Sequence, residues 1–434
     1  MKPAIPHSVT LDTELCVGCT TCIKKCPTQA IRVRGGKARI MEERCIDCGE
    51  CIRTCPKGAK KALPDPPASM GGFDVRIALP APSLYAQFGP GKRRDDIMAA
   101  LCAIGFDDAF DVAWGAVRAT EATRELLRRP GPVPRISSAC PVVVRLVQLR
   151  FPSLIPHLAP VLPPVELAAR EVRRLLGAEA GRVGLFFVSP CTAKVTAIKA
   201  PLGYGRSEVD AVLAIKDLLP ALKAAMGTMG AMGTMGARRE PSRRGGLPRP
   251  SGLGPGIGWA RADGELEALQ VPGAVSVDGI ANVIALLEEL ENHTLGDLPY
   301  IEALACPGGC VGGPMAVSNP HVARSLIRTV AMAAEIAGPE PEASPGSPGS
   351  LGGASGCYWT ESLQPKPAFV LDRDMVKALD MAEKMETIAE SLPGLDCGAC
   401  GSPDCMALAE DIVKGLASES DCLVRLKERS QKAI

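Results

Sequence analysis

Excess charge of either sign is absent from this sequence: 49 basic and 48 acidic side chains leave a formal +1, so neither nucleic acid nor an anionic membrane is offered a surface. A small protein or a gas suits it better as a partner. No run of about 18 uncharged apolar residues occurs, so no membrane span is expected. Residues 1–10 hold one lysine and two prolines without an apolar stretch, which is not the layout of a secretory signal. A cytoplasmic protein is the expectation. Histidine is scarce as well: His7, His157, His293 and His321 are isolated, none is spaced with a carboxylate for metal binding, and all read as structural or surface residues. What the chain has instead is cysteine, 18 of them, and cytoplasmic cysteines serve metals or redox chemistry far more often than structural disulfides.

With 434 residues, 46% of them hydrophobic, several domains are expected. A small one over residues 1–63 holds the first eight cysteines and ends at Pro64-Asp65-Pro66-Pro67, a turn-and-linker signal. From Val75 onward β-rich runs (Val75–Leu79, Arg182–Val188, Tyr300–Ala305) alternate with helical patterns such as Asp95–Ile104. This predicts an α/β body over 73–335 with parallel sheets in two lobes, whose ligands sit at the carboxyl ends of strands. Cys191 and Cys306 fall at such ends.

Two biased stretches interrupt the pattern. Residues 226–252 open on a Met-Gly repeat, poor for helix or strand, and read as a flexible insertion; with no Cys or His interleaved, a soft-metal site is the weaker alternative. Residues 338–356, rich in Pro, Gly and Ser, read as a disordered linker. A helical module over 370–434 follows, with Asp372 or Asp374 as cap, Met375, Leu379, Ala382, Met385, Ala389 and Leu392 at helical spacing, Pro393-Gly394 as stop, and a second helix over Ala407–Leu416.

The N-terminal cysteines repeat one spacing, Cys16-x2-Cys19-x2-Cys22-x3-Cys26-Pro27 and Cys45-x2-Cys48-x2-Cys51-x3-Cys55-Pro56. At this pitch three thiolates wrap one cubane and the fourth reaches the other. Cys16, Cys19, Cys22 and Cys55 would hold one 4Fe–4S cluster, and Cys45, Cys48, Cys51 and Cys26 the second. Zinc also uses Cys-x2-Cys, but needs only two such pairs per ion and no closing proline. Lys24, Lys25, Lys57, Lys60 and Lys61 form either a docking rim for an acidic redox partner or a solvated face.

Cys140, Cys191, Cys306 and Cys310 lie too far apart for a local finger, so only a folded body can gather them. Their segments are Ser137-Ser138-Ala139-Cys140-Pro141, Ser189-Pro190-Cys191-Thr192-Ala193-Lys194 and Leu304-Ala305-Cys306-Pro307-Gly308-Gly309-Cys310. These resemble the three signature segments of the FeFe hydrogenase catalytic domain, and the resemblance extends from about Phe73 to Thr329. It implies that the four cysteines bind a 4Fe–4S cubane and that Cys310 bridges it to a two-iron centre bearing carbonyl and cyanide, together the H-cluster. It also implies that Lys194 donates to a cyanide. An ordinary lysine beside a cluster is the plainer alternative. Gly308-Gly309 would let the backbone approach the cluster.

The departures from that family matter as much. Its active members usually carry a proton-passing cysteine where this chain has Ala139, and a methyl transfers no proton. Ala159 stands where a serine of the usual route is expected, Glu121 aligns with an acid of that route, and Glu125 or Arg124 with the next. Ser189 and Leu304 replace methionines that often pack on the two-iron site. These changes resemble the sensory FeFe hydrogenases. Loss of one relay costs about 10²- to 10⁴-fold, so slow turnover is expected.

Cys397-x2-Cys400-Gly401-x3-Cys405-x16-Cys422 closes the chain and resembles the small four-cysteine cluster domain of bacterial electron-transport and corrinoid proteins. A fourth 4Fe–4S cluster is implied, with zinc as the alternative. Cys102 reads as a core residue, and Cys357 has no evident partner. The expected protein is an iron–sulfur electron carrier that interconverts H2 with protons and electrons slowly and reports hydrogen or redox state. It would need hydrogenase maturation enzymes and a small redox carrier or signalling protein as partners. The rival is a relative that binds cubanes alone and serves electron transfer or cluster assembly.

Overall fold

In the computed structural model, residues 7–177, 182–231, 246–336 and 354–432 are described; most of the 338–356 stretch and residues 232–245 of the Met-Gly insertion lie outside them. Four short strands frame the N-terminal region: β1 (Val9–Leu11) pairs antiparallel with β4 (Lys60–Ala62), and β2 (Ile31–Arg34) with β3 (Lys37–Ile40). Each cysteine run supplies one helical turn, Thr21–Lys24 and Glu50–Arg53, which carries its third cysteine.

The body holds two parallel sheets. In the first the order is β6 (Asp108–Ala109), β5 (Val75–Pro80), β8 (Val183–Ser189), β9 (Ala211–Ala214); in the second, β10 (Val275–Asp278), β11 (Tyr300–Leu304), β7 (Arg135–Ile136). Strand β8 shows why the first sheet is covered on both faces. Its residues are all buried, and with period two Phe186 and Val188 enter one core while Val183, Leu185 and Phe187 enter the other. Cys140, Cys191 and Cys306 each follow the carboxyl end of a strand, β7, β8 and β11. The predicted multidomain α/β architecture with parallel sheets in two lobes is the one observed.

Several expectations need correction. The helix Ile215–Ala231 runs through the first Met-Gly repeats, where a break was expected. Leu218, Leu219 and Leu222 bury its inner face, and Met226 packs on the same core. A propagating helix tolerates a glycine at about 1 kcal/mol. Cys357 is not left over: it is 1% exposed, its carbonyl accepts from Leu162 N, and Trp359 N donates to Pro160 O, so a strap from 354 to about 366 belongs to the body. Cys102 is half-buried on the helix Arg94–Ala103. The second C-terminal helix is Cys405–Val413, and Asp374 caps the first, Met375–Ser391, accepting from Val376 N and Lys377 N.

The C-terminal module lies against the N-terminal cysteine region. Asp411 accepts from Arg32 Nε at 2.7 Å, Arg34 at 2.6 Å and Ser402 Oγ at 2.9 Å, while Glu410 pairs with Arg44 and with Lys414 at 2.7 Å. Val33 N donates to Gly401 O at 2.8 Å. Gly401 has φ +83°, and a Cβ there would come within 2.0 Å of Val33 O, so only glycine fits this contact. Among the described residues no helix is long and apolar enough to cross a membrane.

Candidate functional site

Where the two sheets' strand ends meet, Cys140, Cys191, Cys306 and Cys310 line one cavity of about 100 Å³. Its wall is otherwise largely apolar, with Ala139, Phe187, Trp259 and Leu304 among the lining residues. Three of the four thiols, Cys191, Cys306 and Cys310, are raised by burial and by their sulfur neighbours. Burial first, then Cys306 and Cys140, push Cys191 up to about 12, and burial with the other three lifts Cys310 further. Four crowded, dry thiols suit a cationic, thiophilic group that displaces their protons. Lys194, in the helix Thr192–Lys199, lines the same cavity and lowers Cys191 and Cys310; its Nζ donates to Ala139 O at 2.8 Å. The Ser189 hydroxyl accepts from Cys191 N at 3.1 Å and so shapes the turn that presents the thiol. Gly309 is crowded by another backbone, not by the cavity alone: at φ +92° its Cβ would meet Ala262 N at 2.5 Å.

Two smaller cavities lie in the N-terminal region. Cys16, Cys19, Cys22 and Cys55 line the first, and Cys26, Cys45, Cys48 and Cys51 the second, each with one cysteine from the other run. Backbone donors point at the sulfurs: Ala30 N lies 3.2 Å from Cys26 Sγ, and Ala59 N 3.2 Å from Cys55 Sγ. Burial raises the Cys55 thiol, but the donors at Lys60, Lys57, Ala59 and Gly58 outweigh it and hold it below its usual value. Such N–H···S bonds stabilise thiolate, and all-sulfur quartets fit cubane clusters. Cys48 lines both the second cavity and the body's, and Arg53 donates to Cys306 Sγ at 3.0 Å and Gly312 O at 2.9 Å. The two regions share a wall. Asp47, beside Cys45, is buried; His7, Arg145 and Thr196 outweigh that burial and keep its carboxyl below the usual range.

The lysines divide. Lys24 Nζ donates to Pro403 O at 2.8 Å and Lys61 pairs with Asp12 at 2.7 Å, while Lys60 is 2% exposed, has no hydrogen-bond partner for Nζ among the described residues, and opposes the rise that burial gives Cys22 and Cys51. Neither a docking rim nor a solvated face describes Lys60. Lys60→Met removes a buried cation beside both quartets and should move their reduction potentials to more negative values; a redox titration followed by electron paramagnetic resonance checks this. In the C-terminal module Cys400 feels Cys397 and Cys422, and Cys405 and Cys422 pack in one core with it.

Glu121 does not reach the main cavity. The helix Val112–Leu127 turns Ala116, Ala119, Thr120 and Thr123 inward, which leaves Glu121 exposed and paired with Arg118, lining a separate outer cleft with Arg124. Glu125 pairs with Arg129 at the surface, and Ala159 is buried in an apolar cluster. The structure instead places Glu265 and Glu302 in the cavity wall. No motif marks them; Glu302 is an acid inside the otherwise apolar run Tyr300–Ala305, but Glu265 stands among other charged residues and nothing singles it out.

This is the fold and site of an iron–sulfur protein in which one N-terminal sulfur quartet shares Cys48 with the cavity of the body. The family profile described as iron only hydrogenase large subunit, C-terminal domain, matches residues 75–241 and 257–314, about half the chain, and the chain belongs to that family. A 4Fe–4S dicluster profile matches 8–56, and an Fe–S cluster profile 392–424. The periplasmic Fe hydrogenase large subunit of Nitratidesulfovibrio vulgaris is 27% identical over 378 residues, 74% of this chain and 89% of its own. Iron hydrogenase 1 of Clostridium pasteurianum is 26% identical over 263 residues, 52% of this chain and 45% of its own. A solved FeFe hydrogenase from Chlamydomonas reinhardtii overlays on 62% of this chain and 86% of its own, at 18% identity and a TM-score of 0.43.

Proposed function

We propose that this protein interconverts H2 with two protons and two electrons slowly, at an H-cluster seated in the main cavity, and uses that chemistry to report hydrogen or redox state. The observation that carries this reading is the convergence of Cys140, Cys191, Cys306 and Cys310 with Lys194 on one largely apolar cavity that touches Cys48. In this reading the four cysteines would hold the cluster group, with Cys310 nearest its two-iron part, and Lys194, which donates to the Ala139 carbonyl, would supply N–H donors to that group's anionic ligands. The N-terminal quartets hold two more cubanes and the C-terminal cysteines a fourth, so that electrons pass between an external carrier or signalling protein and the chamber. Largely apolar walls keep bulk water out. Ala139 places a methyl where a proton-passing thiol is expected, which supports slow turnover.

Infrared spectroscopy of protein co-expressed with hydrogenase maturation enzymes tests the assignment. Cyanide and carbonyl bands are expected. Their absence, under conditions that load an established hydrogenase, would leave the cubane-only electron carrier as the better reading.

A further inference from the structure

An outer cleft of about 300 Å³ backs onto the wall of the cysteine-lined cavity. Three helices build that wall and turn a different face to each space. On the helix Val112–Leu127, Ala116 lines the cavity and Arg124 the cleft. On the helix Gly254–Gly258 and just after it, Gly256 and Ala260 line the cavity while Gly258 and Arg261 line the cleft. On the helix Gly264–Leu269, Glu265 lies inside and Glu267 outside. A single layer of chain separates the two spaces.

The charges of the cleft do not cancel. Arg124, Arg261 and Arg328 line it against Glu121 and Glu267, and Glu121 already pairs with Arg118. Glu267 is shared between Arg261 and, at 3.7 Å, Arg328, which stands exposed on the helix Pro320–Ile336. Arg124 meets no carboxylate among the described residues and donates instead to the Ala268 and Leu269 carbonyls. Arg261 is 4% exposed, and its Nε has no hydrogen-bond partner among the described residues. A buried guanidinium left unsatisfied beside an open cleft is a place for an acceptor from outside. Gly258 keeps the space open, because a Cβ there would meet nothing within 4 Å, and Val117 and Met332 supply an apolar side. Guanidinium groups take carboxylate or phosphate oxygens two at a time, and about 300 Å³ suffices for a small molecule.

We propose that this cleft binds a small organic anion, a phosphate or carboxylate headgroup on a compact apolar body, and that its occupancy is felt at the cysteine-lined cavity. Arg261 is the link. Ala262 N donates to Gly308 O at 3.0 Å and Val311 N to Ala260 O at 2.9 Å, and a Cβ on Gly309 would come within 2.8 Å of Arg261 Cα. The loop from Cys306 to Cys310 thus rests on the backbone that carries the arginine. An anion that draws Arg261 from Glu267 bears on that loop and brings negative charge towards the quartet. Reduction of a cluster there adds more negative charge, so the anion binds the oxidised protein more tightly. This coupling rests on the reading that the quartet holds a cluster, whereas the binding does not. An ion-pair network kept for stability alone would need neither three arginines around one shared carboxylate nor an unfilled Gly258.

Isothermal titration calorimetry of the full-length protein at constant ionic strength, with inorganic pyrophosphate and with succinate as probes, tests the site. Saturable one-to-one binding of at least one probe is expected, and the one that binds identifies the headgroup. Arg328→Gln removes an exposed guanidinium and should weaken that binding by about tenfold. Gly258→Leu fills the cleft and should abolish it. Redox titration followed by electron paramagnetic resonance, with and without the bound probe, reads the coupling. Binding about fivefold tighter to the oxidised protein is expected, which lowers the midpoint of the body's cluster by about 40 mV. Failure of both probes to bind, or binding that survives both variants unaltered, would overturn the site. Saturable binding with an unmoved midpoint would overturn the coupling. A body quartet that gives no cluster signal would sink the hydrogenase reading alone, since calorimetry still decides the cleft.

Discussion

Ala139→Cys should raise hydrogen turnover of the loaded protein by about 10²-fold or more, as expected when a general acid–base group is restored to a chamber that lacks it. The backbone at this position is held from two sides, its carbonyl by Lys194 Nζ at 2.8 Å and its N–H by Ser137 Oγ at 3.3 Å, so a new side chain inherits the direction of the methyl. The residue lines the cavity, and the added sulfur enters space that is already there. One hydroxyl, that of Ser137, separates the residue from Glu265. The thiol therefore joins a polar chain already in place. Gas-evolution assays of the loaded variant measure the effect, with infrared bands confirming equal loading. An unchanged rate at equal loading would mean that proton supply does not limit this protein, and the explanation of slow turnover by Ala139 would fail.

Asp411→Ala should release the C-terminal module. Asp411 is 3% exposed and is shared by Arg32, itself 5% exposed, and Arg34. Removing the acid leaves a buried guanidinium without its counter-charge, a change that costs about 3–5 kcal/mol for buried pairs. Arg32 NH2 would keep only Glu410, at 3.7 Å. Limited proteolysis should then cut near the stop at residues 393–396, and magnetic coupling between the C-terminal and N-terminal clusters should weaken. Asp411→Asn, which retains an acceptor, should show a smaller effect. Wild-type protease resistance in the alanine variant would mean that the Val33–Gly401 contact and apolar packing hold the module unaided.

The parts of this molecule that could be read from the sequence are those in which spacing dictates geometry. The repeated N-terminal cysteine pitch allows one arrangement with a cysteine exchanged between runs, and those quartets line the two small cavities. Cys191 and Cys306 were legible because apolar runs ending in cysteine behave as strands ending at a site. Glu121 was misplaced because alignment with a family position does not say which helix face meets the cavity, and the inner face of Val112–Leu127 carries Ala116, Ala119, Thr120 and Thr123 and no acid. Glu265 and Glu302 carry no local signature; parallel pairing and a six-residue helix bring them together. The contacts of Arg32, Arg34 and Arg44 with Asp411 and Glu410 join residues more than 360 positions apart, beyond any periodicity.

Those contacts reach across a long stretch of sequence. On a ribosome, Arg32, Arg34 and Arg44 emerge more than 360 residues before the acids that neutralise them. For as long as those residues take to be made, this cysteine region lacks its cover, so its clusters can be delivered before the module docks. Synthesis of the two acids then closes a region made long before them.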